Sequence, residues 1–273
     1  MIHALSERAA VGTSRKDILL SQAVYLRDLL RELVLRDIKV QYKSSLLGVA
    51  WSLLNPLFQL LVFVFLFRVV MPLGISNYGA FAFSGMLAWS WFQLSMTQAT
   101  GAITSHRELI RRPGFPAAIL PVITVTTNLM HLLFALPLLL IFIFFSTGQL
   151  NVTILALPLV MMLQFILTLS LAYVLATANV LFRDTQHLVG VFLQLLFYFT
   201  PVFYSAQQVP QKYQMLYQLN PMVHIVAAYR DLLLFGKMPN LMVMLFLALA
   251  ASGLLIVGYR IFMHSRDRFV EEL

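Results

Sequence analysis

The 273-residue sequence contains no cysteine, which excludes disulfides and thiolate metal sites on this chain. Charge is nearly as scarce. Only 11% of residues are Asp, Glu, Lys or Arg, against 60% hydrophobic, and the mean hydropathy is +0.83. No soluble domain of this size needs so much apolar surface, so the fold class is all-α integral membrane. Alternating ten-residue strands are missing, which sets a β-barrel aside. The opening stretch MIHALSERAAVGTSRKD lacks an apolar run, so no cleavable signal peptide is expected. H-E-x-x-H, G-x-S-x-G and clustered His with carboxylates are all absent, so a hydrolase or metalloenzyme lacks its parts. No Walker A motif occurs, so any active transport must draw its energy from another chain. Acids are missing from the expected spans too, which argues against an ion-coupled carrier.

The positive charge that is present is placed unevenly. Of the 19 Lys and Arg, eight precede residue 48, three lie between Thr104 and Pro116, one is Arg183 and three follow Tyr259. With six spans these fifteen share one side, and the positive-inside rule puts both termini in the cytoplasm. Residues 1–48 then form a cytoplasmic tail and an amphipathic interfacial helix, 49–263 the membrane domain, and 264–273 a cytoplasmic tail. Leu19, Ala23, Leu26, Leu30 and Leu33 mark the apolar face of that helix. Ser14 or Asp17 can cap it, and Glu32–Arg36 is a supportive i,i+4 pair.

The spans read as Val49 to Met71, entered through Gly48 and Trp51, then Gly79 to Ile103, Ala117 to Phe145, Ile154 to Phe182, a broken fifth, and Leu241 to Met263. Pro56 is expected in a first turn, where its missing N–H costs little. Gln93, Ser95, Thr97 and Gln98 in the second span point to helix–helix contact, with a wetted wall as the alternative. His131 reads as a neutral hydrogen-bonded helix contact. Ser105 and Glu108 have capping-box spacing, so a short basic helix is expected there, stopped by Pro113-Gly114. Such a helix is either topogenic or a coupling helix for a soluble motor.

The broken segment organises the rest. Its first apolar piece, Leu188 to Phe203, has 16 residues, roughly 24 Å of helix against a ~30 Å hydrocarbon core. Thr200-Pro201 breaks it, Pro210 follows in a polar aromatic stretch, and Asn220-Pro221 opens a second piece, Met222 to Phe235. Broken backbone at membrane depth is tolerated only where protein buries it or where it lines a wet cavity. The expectation is a re-entrant helical hairpin between spans five and six, acting as the gate of a translocation path.

Two motifs carry a resemblance. One is L-R-D-I-K-V-Q-Y-K-S-S-L-L-G-V-A-W-S-L-L-N-P from Leu35. The other is F-R-D-T-Q from Phe182, followed by Q-L-L-F-Y-F-T-P-V-F-Y from Gln194, Pro210, L-N-P from Leu219, and Arg230. In order and spacing the chain resembles the membrane subunit of bacterial ABC exporters for surface polysaccharides, most closely those for O-antigen, with teichoic-acid and capsule exporters as relatives. The resemblance implies a homodimer with two ATP-binding subunits, which hold ATP and Mg, and no cofactor on this chain. It also implies an undecaprenyl diphosphate-linked polysaccharide as substrate, in the bacterial inner membrane. No nucleic-acid partner is expected.

Sugar faces stack on aromatic rings, so Tyr198, Phe199, Phe203, Tyr204, Tyr213 and Tyr217 are candidate channel and gate residues, with Pro201, Pro210 and Pro221 as the gate breaks. An outer aromatic belt is the alternative, above all for Tyr213 and Tyr217. Arg36, Lys39 and Lys43 fall on one helical face and form a candidate fork for the lipid diphosphate. Arg107, Glu108, Leu109, Ile110 and Arg111 are candidates for ATPase coupling. An exporter of small hydrophobic molecules, a membrane enzyme acting on lipid-linked sugar and a scaffold are the other readings.

Overall fold

The computed structural model describes residues 15–43 and 50–272. Among the described residues every regular element is helical and no strand occurs. The first helix, α1 (Arg15–Tyr42), packs on α6 (Ile119–Thr147) through buried Leu33 and Val34, with Leu29, Leu30 and Ile38 partly buried beside them. Only the C-terminal half of its apolar stripe is used in this way; Ala23 and Leu26 remain exposed. The expected Glu32–Arg36 pair gives way to a shorter closure. Arg36 turns Nε and Nη2 onto Oδ1 of Asp37 at 3.3 and 3.1 Å, as Arg27 does onto Asp28. Asp17 lies inside α1. Ser14, Gly48 and Val49 fall outside the described residues, as do residues 1–14 of the tail.

Helix α2 (Ala50–Val64) continues as a π-helical stretch, Phe65–Val70, closed by Met71 N–H on the Leu66 carbonyl at 2.7 Å. Pro56 is its seventh residue, past the first turn. The expectation of a costless proline is therefore corrected: there it removes one hydrogen bond from the ladder. Much of this helix is exposed and apolar, including Phe58, Leu61, Val62, Phe65 and Val69.

Helix α3 (Tyr78–Thr100) is the centre of the molecule. It packs on α2, α6, α7 (Leu157–Leu181), α8 (Thr185–Phe199) and α10 (Pro221–Arg230). Its polar and indole groups face neighbouring helices: Trp91 Nε1 donates to the Val125 carbonyl at 3.2 Å, and Gln98 Oε1 accepts from Asn128 at 2.8 Å. On α7, Gln164 donates to the Ala88 carbonyl at 2.8 Å. A helix wrapped by protein can carry such groups because partners on neighbouring helices satisfy them. His131 is likewise a helix contact, with Nε2 3.0 Å from Gln41 Oε1 on α1.

Two single turns follow, α4 (Ala102–Ser105) and α5 (Arg107–Ile110). The expected capping box is not formed. Ser105 N–H is already bonded to the Gly101 carbonyl, so Ser105 ends one turn instead of capping the next. The break falls at His106 (φ −113°, ψ 34°), whose Nδ1 lies 2.8 Å from the Ala102 carbonyl.

Among the described residues, three helical stretches are long and apolar enough to cross a membrane: α6, Val152–Leu181 (a 3₁₀ turn leading into α7), and α11 (Leu241–His264). Leu54–Val70 and α8 are shorter apolar helices, and the 23 residues of α3 extend about 34 Å. Helix α11 lies against α7 at Gly258, where a Cβ would come within 2.7 Å of the Ser170 carbonyl. A small residue there permits the close backbone approach. The last helix, α12 (Arg266–Glu272), shows that the C-terminal tail is ordered: Phe269 is fully buried, with its ring 5.0 Å from that of Phe262.

Candidate functional site

The segment after α8 is a loop, then α9 (Gln211–Gln218), α10, and a π-helical stretch, Asp231–Phe235. Of the three prolines expected as breaks, one lies just past a helix end and two at helix starts. Pro201 follows the C-cap Thr200, Pro210 is the N-cap of α9, and Pro221 opens α10, where the missing N–H would have had no partner anyway. Asn220 does two things here. Its Oδ1 accepts from Met222 N–H at 3.0 Å, capping α10, and its Nδ2 donates to Thr200 Oγ1 at 2.8 Å. Thr200 in turn donates to the Leu196 carbonyl at 2.7 Å. The end of α8 and the start of α10 are thereby joined.

Arg230 completes the joint. It is 4% exposed, and no carboxylate is among its partners in the described residues. Its guanidinium donates Nη1 to the Pro201 carbonyl at 2.6 Å, Nη2 to the Val202 carbonyl, and Nε to the Phe81 carbonyl at 3.3 Å. Its Cζ lies 3.5 Å from the centroid of the Phe81 ring. A proline break frees carbonyls that a buried chain must satisfy; a planar fork with five donors meets several of them at once. One side chain thus holds the break, α10 and the central helix together. Gly85 makes room for it: a Cβ there would sit 2.6 Å from Nη2 and 2.9 Å from the Val202 carbonyl. Neither the brace nor Gly85 was read from the sequence. The available signal was an Arg in a largely apolar run, which requires acceptors from somewhere.

The far end of the segment is tied as well. Thr153 donates to the Leu232 carbonyl at 2.8 Å, linking the π turn to the α6–α7 connection, and Gln208 donates to the Leu73 carbonyl at 3.2 Å. Helix α9 buries no residue.

Of the six aromatic candidates, five come together. Phe203 lies in a stack with Phe63 (5.4 Å) and Phe67 (5.3 Å) of α2 and the π stretch, edge-on to Tyr204 at 5.0 Å, while Tyr78 donates to its carbonyl at 2.9 Å. The Tyr204 hydroxyl is 2.9 Å from both the Tyr198 carbonyl and the Tyr217 hydroxyl. A phenol has one proton to donate, so Tyr204 donates to the carbonyl and accepts from Tyr217. Phe199 meets Tyr217 edge-on at 6.3 Å. Tyr198 and Phe199 are 56% and 59% exposed. Tyr213 stands apart on α9, with Lys212 Nζ over its ring at 5.7 Å.

The other candidates lie on different elements. Arg36, Lys39 and Lys43 border an open groove of about 440 Å³ along α1, with Glu32 and Leu35. The Asp37 carboxylate already engages the Arg36 fork. On α5, Arg107 and Glu108 are exposed, Leu109 is half-buried and Ile110 is buried within the chain, and Arg111, which follows it, is exposed.

The comparisons with known proteins agree with one another. The profile of the family described as ABC-2 type transporter matches residues 28–234. The chain is 38% identical over 250 residues to the O-antigen export system permease protein RfbA of Myxococcus xanthus, covering 90% of this chain and 96% of the relative. It is 32% identical over 251 residues to the protein of the same name from Klebsiella pneumoniae, covering 91% and 96%. The polysialic acid transport protein KpsM of Escherichia coli is more distant, at 23% over 235 residues, covering 84% and 90%. With its profile spanning α1 to the π turn and relatives matched over nearly their whole length, this multi-pass chain belongs to the membrane subunits of the ABC-2 type transporters.

Proposed function

We propose that the chain is the membrane subunit of an exporter that carries an undecaprenyl diphosphate-linked polysaccharide of the O-antigen type outward across the bacterial inner membrane. The observation that carries this reading is the match to O-antigen export permeases over 90% of the chain, through the broken segment. In the fuller reading six helices span, both termini are cytoplasmic, and α9 with α10 forms a re-entrant hairpin at the outer end. Two copies assemble along the exposed apolar faces of α2 and α8, and two separate subunits bind ATP and Mg. The exposed rings of Tyr198 and Phe199 beside the Tyr204–Tyr217 pair support a path for sugar, since rings offer stacking faces and phenols offer hydrogen bonds. The α1 groove supports entry of the diphosphate at Arg36, Lys39 and Lys43, with Arg36 exchanging Asp37 for phosphate oxygens.

Depleting the chain from its native cell tests the proposal. Lipid-linked glycan is expected to accumulate inside while surface polysaccharide falls. Unchanged surface polysaccharide, or a loss with no accumulated precursor, would overturn it.

A further inference from the structure

A second basic site lies away from both the broken segment and the α1 groove. The turn after α5 and the start of α12 enclose a cavity of about 280 Å³. Arg111, Arg112 and Arg266 line it, with Asp267 as the acid and Ile110 and Phe115 as apolar wall. Among the described residues, neither Arg112 nor Arg266 pairs with a carboxylate. Arg112 and Arg266 together outnumber the Asp267 carboxylate of the lining, and like charges gathered at one cavity repel unless an anion joins them.

The walls are fixed in place. Phe269, one turn beyond Arg266, is fully buried against Phe262, and Ile110 is buried on the other side. The site therefore does not depend on a loose tail.

Its position identifies the anion. Ala117, two residues before α6, also lines the cavity, and Arg266 follows the end of α11 by two. Two helices apolar enough to cross a membrane thus end beside it on one face. That is the depth of lipid head groups, and basic clefts between membrane helices are suited to hold them. We infer that this cavity is a binding site for the phosphate of an anionic phospholipid, with Arg112 and Arg266 as its donors. A lipid phosphodiester arrives at this level with its acyl chains already in the bilayer, whereas a partner's carboxylate has to be brought to the head-group layer from solution. Bound lipid would tie the turn after α5 to the C-terminal helix.

The test uses the purified full-length chain without any ATPase, in zwitterionic detergent micelles doped with phosphatidylglycerol or phosphatidylcholine, with inorganic phosphate as a third arm. Thermal unfolding and native mass spectrometry give the readouts. Phosphatidylglycerol is expected to bind and protect in preference to phosphatidylcholine, and Arg112→Gln with Arg266→Gln to weaken that binding by about tenfold, a loss within reach of one or two charge-assisted hydrogen bonds. The pair Arg107→Gln with Arg183→Gln removes the same charge from exposed positions outside the cavity and should leave the preference intact. Arg112→Lys with Arg266→Lys keeps the charge and guards against a folding defect; it should fall between the two. Equal losses in the cavity and control pairs would reduce the effect to surface electrostatics and overturn the site. Protection by inorganic phosphate equal to that by phosphatidylglycerol would overturn the lipid as ligand, and so would protection that appears only when an ATP-binding subunit is added.

Discussion

Arg230 shows how a charged side chain is kept in a chain with so few. Two of its donors go to the Pro201 and Val202 carbonyls, which lie outside any helix, a third goes to the Phe81 carbonyl of α3, and its flat face lies on the Phe81 ring. Truncating such a group leaves buried acceptors unsatisfied, at about 1–3 kcal/mol each. Lysine cannot substitute, because one ammonium does not present a fork. Arg230→Lys is therefore expected to lower the thermal unfolding midpoint by several degrees and to reduce export. Gly85→Ala should do the same from the opposite side: its methyl group meets Nη2 at 2.6 Å and backbone at 2.9 Å, and overpacking of this kind costs about 1–3 kcal/mol. Wild-type melting in detergent for both variants would show that the brace carries no load.

Among the elements, α5 was expected to dock on a motor through Leu109 or Ile110. Ile110 is already buried within the chain, so the exposed side chains of this turn are Arg107, Glu108, part of Leu109 and, just after it, Arg111. Replacing Glu108 and Leu109 together should separate ATP hydrolysis from export, leaving the chain inserted and the ATPase active; normal export by that variant would remove α5 from the coupling path. The same element shows where sequence reading stops. Apolar runs gave α6, α7 and α11 nearly to their ends, because membrane length leaves few alternatives. Asn220-Pro221 announced the start of α10 because a cap and a fixed φ act locally. The Ser105–Glu108 spacing was local too, but the preceding helix ran on through Ser105 and used its N–H. The π stretches at Phe65–Val70 and Asp231–Phe235 meet distant partners, Phe203 stacking on Phe67 and Thr153 donating to the Leu232 carbonyl, and no local motif announced them. The aromatic candidates were legible as a composition; which of them meet was not, since Tyr204 and Tyr217 pair across thirteen positions of chain.

At the scale of the whole molecule, one copy is well packed around α3 and poorly covered elsewhere. The faces of α2 and α8 present apolar side chains that lipid or a second copy must cover. The broken segment is joined to α3 by Arg230 and to the α6–α7 connection by Thr153, whereas α9 buries nothing. Any gate at this end therefore moves chiefly at α9. In the function proposed for the chain, a lipid-linked glycan leaves the cytoplasmic side, passes the aromatic cluster and emerges by α9. Inner-membrane vesicles turned inside out and carrying the chain with its ATP-binding subunit test that account most directly. Lipid-linked glycan on their outer face, which was the cytoplasmic one, should become inaccessible to an added glycosidase when ATP is supplied, and stay accessible when ATP is withheld. Glycan that remains fully accessible with ATP, while hydrolysis proceeds, would contradict it.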